Sequence, residues 1–476
     1  MSEYLTLTMA RKANIAWPTT VVVSIVGLDD TDSRSRGMCT TYVAARVAQR
    51  LRNAGRLVGQ IRLVRLNPAV EHKTRGNAAL AVPTTAPSVE AFEIARDTLE
   101  TLALAEEPRT SPGVVVADVD ARGTETASTP EPPDRGASRT TESDGIPADV
   151  VQFAHRALRE QLTLEETLAI LERHDWHHAG YPTNRPEENR EGRGRIGGLA
   201  AIGAIAAFDD WTYEHISYRH PQRRGTARQV DHDSVYTAAE RGYPTVWDTV
   251  DHGEGEPVCV PAAPGPILHG IRGDDPEACR AVARQIVSEP IERATTFRTN
   301  QGTDAHLKDG RLGSLDKNAG YCIEGTVESP PETRRGGHVF FDLAGPTGGS
   351  EIECVAFEPT KRFRTHVRAL RPGDELTVCG EHEDGTVKLE KFALRQLVRT
   401  ERVNPTCPDC GRSMSSAGRD QGYRCRDCGT ASATKTSRRL QRALERGWYE
   451  VPPCARRHIA KPLVRGGFDA ATHTEQ

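Results

Sequence analysis

Four of the chain's eleven cysteines stand as Cys407-x2-Cys410 and Cys425-x2-Cys428, with fourteen residues between the two pairs. A Cys-x-x-Cys turn brings two thiolates to one edge of a tetrahedron, and Pro408, Gly411 and Gly429 supply the tight turns that such knuckles need. The spacing is that of a structural zinc ribbon with Cys407, Cys410, Cys425 and Cys428 on Zn2+, not of a disulfide ladder. Cys259, Cys279, Cys322, Cys354, Cys379 and Cys454 are scattered and read as small buried hydrophobes. Cys39 differs because it adjoins the acidic segment described next, although packing explains it equally well.

That segment is Gly27-Leu28-Asp29-Asp30-Thr31-Asp32-Ser33, which leaves the apolar run Val21–Val26 and is followed by Gly37-Met38-Cys39-Thr40-Thr41-Tyr42. Three carboxylates crowd the end of a buried-strand candidate. Such crowding is costly unless a cation neutralises it, and Mg2+ takes carboxylate oxygens together with substrate phosphates. Asp29, Asp30 and Asp32 therefore read as a metal-phosphate site. The alternative is a solvated turn with Asp32 or Ser33 capping a helix.

At 476 residues the chain exceeds what one core organises, so about three to four domains are expected. With no apolar run of about 18 residues and no signal-like start, an intracellular, cytoplasmic protein without membrane contact is expected. The net charge of -4 decides little, because basic surface can be local.

The opening reads as βαβ-like: a strand over 21–27, a helix over 40–54 and a strand over 60–66. The basic loop that follows carries Lys73 and Arg75, which could meet a triphosphate opposite the carboxylates, or could simply be solvated. Residues 112–116 read as another strand, and 122–147, rich in Thr, Ser, Pro, Asp and Glu, as a disordered insertion. Gly192-Arg193-Gly194-Arg195-Ile196-Gly197-Gly198 contains G-x-G-x-x-G but follows a polar stretch instead of a strand. It reads as an anion-binding N-terminus reinforced by Arg193 and Arg195, opening an apolar helix over 199–208. An aromatic strand is expected over 211–219.

Five short strand candidates over 322–327, 337–343, 352–357, 375–379 and 386–392 suit a β-barrel of the OB type. Within it Lys361, Arg362, Phe363, Arg364 and Arg368 combine charge with an aromatic ring, as single-stranded nucleic-acid contacts do, though a solvated face gives the same pattern. The ribbon, and a basic end from Lys435 to Arg465 with Arg438-Arg439, Arg442 and Arg456-Arg457, favour RNA or DNA as the partner.

The order of these motifs resembles the archaeal isoleucine-tRNA 2-agmatinylcytidine synthetase family, TiaS, over nearly the whole chain. The resemblance rests on the acidic segment, Lys73-Thr74-Arg75-Gly76-Asn77, Pro112-Gly113-Val114-Val115 and Gly194–Gly203. It continues through Thr296–Asp304, Gly336–Phe341, Glu358–Lys361, the four cysteines and Ala455–Leu463. It implies a multidomain α/β and α+β protein: a kinase-like ATP-binding domain over 18–190, a ferredoxin-like domain over 191–310, an OB-fold over 318–400, the zinc ribbon over 403–432 and a basic segment over 433–476.

The activity implied is ATP-dependent joining of agmatine to C2 of the wobble cytidine of the isoleucine tRNA with a CAU anticodon. ATP phosphorylates the C2 oxygen, the amine displaces it, and the agmatidine formed reads AUA. In that family a threonine after the motif cysteine becomes phosphorylated; it matches Thr40, with Thr41 as the alternative. ATP and Mg2+ would be held by Asp29, Asp30, Asp32, Lys73, Arg75, Arg193 and Arg195. Agmatine needs carboxylates, for which Asp304 and Glu214 are candidates. The rival readings are a non-catalytic OB-fold and zinc-ribbon nucleic-acid-binding protein, and an ATP-dependent RNA-modifying enzyme that uses another amine.

Overall fold

In a computed structural model of the chain, residues 23–33, 37–70, 76–103, 110–119, 145–181, 192–345 and 349–476 are described. Lys73, Arg75 and nearly all of the expected 122–147 insertion lie outside them.

Strands between Ser24 and Thr299 form one nine-stranded sheet from two stretches of chain. The N-terminal stretch gives β1 (Ser24–Asp29), α1 (Thr40–Asn53), β2 (Arg62–Arg65), β3 (Ala78–Thr84), α2 (Ser88–Leu102), β4 (Gly113–Asp118), α3 (Ala148–Ala157), α4 (Leu164–Arg173) and β5 (His177–Gly180). Next come α5 (Gly194–Ala207), β6 (Thr212–Arg219), α6 (His232–Gly242), β7 (Val246–Trp247), β8 (Ile267–Gly273), α7 (Pro276–Gln285) and β9 (Ile291–Thr299). The strand order is β5-β4-β1-β3-β2-β9-β6-β8-β7. The two stretches join where β2 pairs in parallel with β9, Arg62 opposite Arg298 and Leu63 opposite Thr299. The βαβ expectation needs correction: β1 and β2 run parallel, but β3 lies between them and is antiparallel to both.

Alternate side chains of β1 serve two cores. Ile25 joins Val115, Leu199 and Ile202 on the side of α3 and α5, whereas Val26 and Leu28 join Val43, Val47 and Leu51 of α1 on the other. Helix α5 begins at Gly194, five residues before the expected start, and is apolar nearly all round because it is buried against β1, β3, β4 and α3. Its glycines permit backbone-to-backbone approach: a Cβ on Gly27 would collide with the Gly198 carbonyl oxygen, and one on Gly113 with the Arg195 nitrogen. The glycine pattern is thus first a packing device.

After β10 (Leu307–Gly310) comes the barrel: β11 (Ala319–Val327), the short β12 (Glu332–Thr333), β13 (Val339–Ala344), β14 (Glu351–Ala356), α8 (Phe363–Arg368), β15 (Glu375–Glu383) and β16 (Thr386–Gln396). The ring closes through β11-β13-β14-β16-β15-β11, with β14 and β16 parallel. This is the expected five-stranded barrel, with a helix between its third and fourth strands.

A two-stranded stalk of β17 (Thr400–Val403) and β21 (Thr436–Arg439) carries a ribbon of β18 (Ser415–Ser416), β19 (Tyr423–Arg424) and β20 (Ala431–Ser432). The chain then returns to the barrel as β22 (Gly447–Glu450) on β16 and β23 (Thr472–His473) on β22.

In the basic C-terminal segment, carboxylates pair with most of the arginines. Arg456 binds Asp248 and Glu450, Arg457 binds Glu381 and Glu390, Arg465 binds Asp210 and Asp274, and Arg438 pairs with Glu401. Arg442 is buried against the fully buried Asp374, at 2.6 and 2.8 Å. Arg442→Ala would strand that carboxylate, so a loss of about 3–5 kcal/mol is expected. Denaturant unfolding with unchanged slope would measure it; a loss under about 1 kcal/mol would contradict the pairing.

Candidate active site at the end of the first strand

The acidic segment turns at the end of β1, directly under the N-terminus of α5. Asp30 adopts a left-handed backbone, φ 56°, and its amide donates to the Asp29 carboxylate at 2.6 Å. The Asp29 side chain fills the space over Gly197, where a Cβ would collide with Oδ2. Burial, then the neighbouring Asp30 charge, push the Asp29 carboxyl well above the usual carboxylate range.

Asp32 turns toward α1. Its Oδ1 accepts from the Thr40 amide at 2.5 Å and from the Thr40 hydroxyl at 2.9 Å. The helix-capping alternative is therefore realised in part: a carboxylate meets the first turn of α1, where the helix dipole favours it. The Thr40 hydroxyl also accepts from Thr31 at 3.1 Å. Thr41 is engaged elsewhere, 2.6 Å from the Cys39 thiol. Burial, then the Asp32 charge, push that thiol up to about 11, which leaves it protonated and inert near neutrality.

Asp29, Asp30, Asp32, Thr40, Asn77, Glu160, Arg193 and Gly197 line one cleft. Arg193 donates through Nη2 to Asp30 at 2.7 Å, while its Nη1 is buried without a hydrogen-bond partner among the described residues. An orphaned guanidinium nitrogen beside crowded carboxylates suits a phosphate group bridged by a divalent cation. Among the described residues the three aspartates do not converge as a three-ligand cage, so Mg2+ would take one or two of them and complete its shell with phosphate oxygens and water.

Arg195 is not part of this cleft: it turns to the Gly192 carbonyl at 3.0 Å and to His178. Sequence reasoning missed Glu160, just past the end of α3. It carried no motif, and only the packing of α3 on α5 brings it near.

The two candidate amine carboxylates differ: Asp304 is taken up by a lysine, whereas Glu214 keeps a buried Oε2 with no hydrogen-bond partner among the described residues. Asp304 holds the buried Lys391 at 2.6 and 2.8 Å, and Glu214 lies between Arg65 and Arg272. The proposed single-strand contact also needs correction. Phe363 is fully buried in the barrel core and cannot stack on a base; Arg362 pairs with Asp251 and Glu475; Arg364 donates to the Gly337 carbonyl at 2.7 Å. Lys361 stands 3.7 Å from Glu254, and Arg368 donates to Thr333 at 3.0 Å on the exposed side.

In the ribbon, one ligand atom from each of Cys407, Cys410, Cys425 and Cys428 lies within 4.8 Å of the others, a donor set that fits tetrahedral zinc. No helix among the described residues is long and apolar enough to cross a membrane.

A phosphate-suited cleft, an OB-type barrel and a zinc ribbon on one chain define a nucleotide-using enzyme class that works on nucleic acid. Sequence profiles agree: the TiaS TCKD domain matches residues 25–86 and 83–183, the TiaS FLD domain 192–306 and the TiaS C-terminal zinc ribbon domain 404–444. The isoleucine-tRNA 2-agmatinylcytidine synthetase TiaS of Haloquadratum walsbyi is 49% identical over 491 aligned residues, covering 95% of this chain and 100% of that protein. The crystal structure of a TiaS complex with isoleucine tRNA and ATP superposes with a TM-score of 0.81 at 35% identity over 96% of this chain and 100% of the other. That of a TiaS complex with isoleucine tRNA, AMPCPP and agmatine superposes with 0.79 at 33% identity over 96% and 100%. The chain belongs to the TiaS family.

Proposed function

We propose that this chain joins agmatine to C2 of the wobble cytidine of the isoleucine tRNA with a CAU anticodon, using ATP, in the cytoplasm. Relatives whose complexes hold isoleucine tRNA, ATP and agmatine support the substrates. The observation that carries the site is the meeting of Asp30, Asp32, Thr40 and the orphaned Arg193 Nη1 in one cleft.

Phosphoryl transfer is mainly positioning and charge neutralisation. Arg193 offers a fork to phosphate oxygens. Asp29 and Asp30 would hold Mg2+, whose charge offsets that of the phosphates. Asp32 accepts the Thr40 hydroxyl proton in a hydrogen bond, the arrangement a phosphoacceptor hydroxyl needs. Thr40 lines the cleft and Thr41 does not, which favours Thr40 as the family's phosphorylated threonine. A carbonyl oxygen on a pyrimidine leaves poorly, so its phosphorylation makes displacement by an amine feasible.

The test incubates purified protein with Mg2+-ATP, agmatine and unmodified CAU-anticodon isoleucine tRNA and reads the wobble nucleoside by mass spectrometry. Agmatidine is expected. An unmodified wobble cytidine despite tight tRNA binding would reject this reading.

Gly197→Ala tests the close approach of α5 to Asp29. Alanine favours an interior helix position by about 0.5–1 kcal/mol, yet its methyl would take the place of the Asp29 carboxylate. A lowered thermal midpoint is expected together with agmatidine formation reduced about a hundredfold, because Cγ and Cβ of the buried Asp29 would lie 2.6 and 2.8 Å from the new methyl. Full activity would show that the Asp29 position is immaterial.

A further inference from the structure

A second cavity, of about 300 Å3, lies near the first, and described residues close to one another in sequence line both. Pro68 and Gly76 face this cavity, while Val70 and Asn77 face the nucleotide cleft. Its walls are chiefly cationic and come from three parts of the chain: Arg65 on β2, Arg272 on β8 with Gln301 just past β9, and Arg456, Arg457 and His458 after β22.

The arginines here are held in two ways. Arg456 is structural, nearly buried between two carboxylates. Arg65, which also donates to Gln301 at 3.0 Å, and Arg272 share the single carboxylate of Glu214, at 3.6 and 3.4 Å, so two cations meet one anion at distances where hydrogen bonding is weak. Contrast Arg219, which grips Glu289 at 2.7 and 3.0 Å. Arg457 keeps 36% of its side chain exposed despite two partners. His458 adds a buried Nε2 with no hydrogen-bond partner among the described residues. Burial, then the Arg65 charge, hold that imidazole well below its usual range, so it is a neutral donor or acceptor.

Guanidinium groups that converge on a cavity and outnumber the carboxylate between them suit a phosphate group, which Arg recognises through paired N–H bonds. We infer that this cavity seats a backbone phosphate of the substrate RNA beside the modified nucleotide, with Arg65, Arg272 and Arg457 as positioning residues. The inference rests on the tRNA reading above. An RNA strand whose target base enters the cleft carries its backbone phosphates past the neighbouring residues, where this cavity opens. A phosphate held there fixes the register of the RNA while carrying no sequence information.

The experiment uses the full chain and tRNA carrying a single uncharged methylphosphonate at one or other linkage flanking the wobble nucleotide. Binding is read by fluorescence anisotropy across a salt series, and turnover by mass spectrometry. Arg272→Gln and Arg457→Gln are expected to weaken tRNA binding about tenfold and to lower the slope of log Kd against log salt by about one, with the KM for ATP unchanged. One methylphosphonate is expected to weaken wild-type binding about tenfold and to leave Arg272→Gln binding unchanged, because the same contact is already lost. Arg272→Lys should recover part of the affinity, and circular dichroism melts should show all three variants folded.

Wild-type affinity and slope in both Gln variants would overturn the inference. So would loss of inorganic pyrophosphate binding by Arg272→Gln with tRNA binding intact, which would give the cavity to a free phosphate-bearing ligand. Anisotropy needs no turnover. Phosphate-specific binding without agmatidine would therefore sink the functional reading and leave this inference standing, whereas agmatidine formed with no methylphosphonate effect would do the reverse.

Discussion

Asp30→Asn is expected to give a folded protein that forms agmatidine at least about a hundredfold to a thousandfold more slowly than the parent. The substitution keeps the size and shape of the side chain and removes its charge. Asparagine adopts left-handed backbone more readily than most residues, so the turn at φ 56° persists. What is lost is the partner of Arg193 at 2.7 Å and one of the carboxylates that make the cleft attractive to a divalent cation. Asp30→Ala would be a poorer test, since alanine resists that backbone conformation and would confound folding with chemistry. Single-turnover agmatidine formation, ATP affinity and the thermal midpoint should be measured together. A rate within tenfold of the parent, with ATP binding intact, would remove Asp30 from the reaction and leave the acidic segment structural.

The acidic segment was legible because charge crowding at the end of a buried strand is a local anomaly, readable in seven consecutive residues. The barrel was legible for a related reason: alternating patterning between glycine turns is local, and each of the five expected strands overlaps an observed one. Pairing over long distances was not. Nothing near Arg62 announces that β2 will pair with Arg298 and Thr299, the pairing through which one sheet runs across both stretches. The ion pairs of the basic end were equally invisible. Arg456-Arg457 reads as free basic charge, whereas their carboxylates stand at Asp248, Glu381, Glu390 and Glu450, mostly far away in the chain. Phe363 was misjudged because its neighbours are basic, yet within the short helix α8 it is the ring that points into the barrel core, against Phe392.

Removing zinc is expected to separate RNA binding from nucleotide binding. The ribbon's own core is only Cys407, Met414 and Cys425, with Tyr423 packed against it, and two of those four are metal ligands. So small a core cannot offset the entropy of ordering the ribbon, and structural zinc in comparable modules contributes about 10–16 kcal/mol of apparent binding energy. Chelation, or Cys425→Ser, should therefore unfold the ribbon outright. The damage should stop at the stalk of β17 and β21, because none of the cleft-lining residues belongs to the ribbon. Arg419, Arg424 and Arg426 are exposed on the ribbon and would lose their fixed arrangement. Affinity for tRNA should fall at least about tenfold with a shallower salt dependence, while ATP affinity stays within about twofold. Titrating tRNA and ATP separately against zinc-loaded and zinc-stripped protein checks both arms: unchanged tRNA affinity would limit the ribbon to a structural role, and a parallel loss of ATP binding would mean that zinc supports the whole fold.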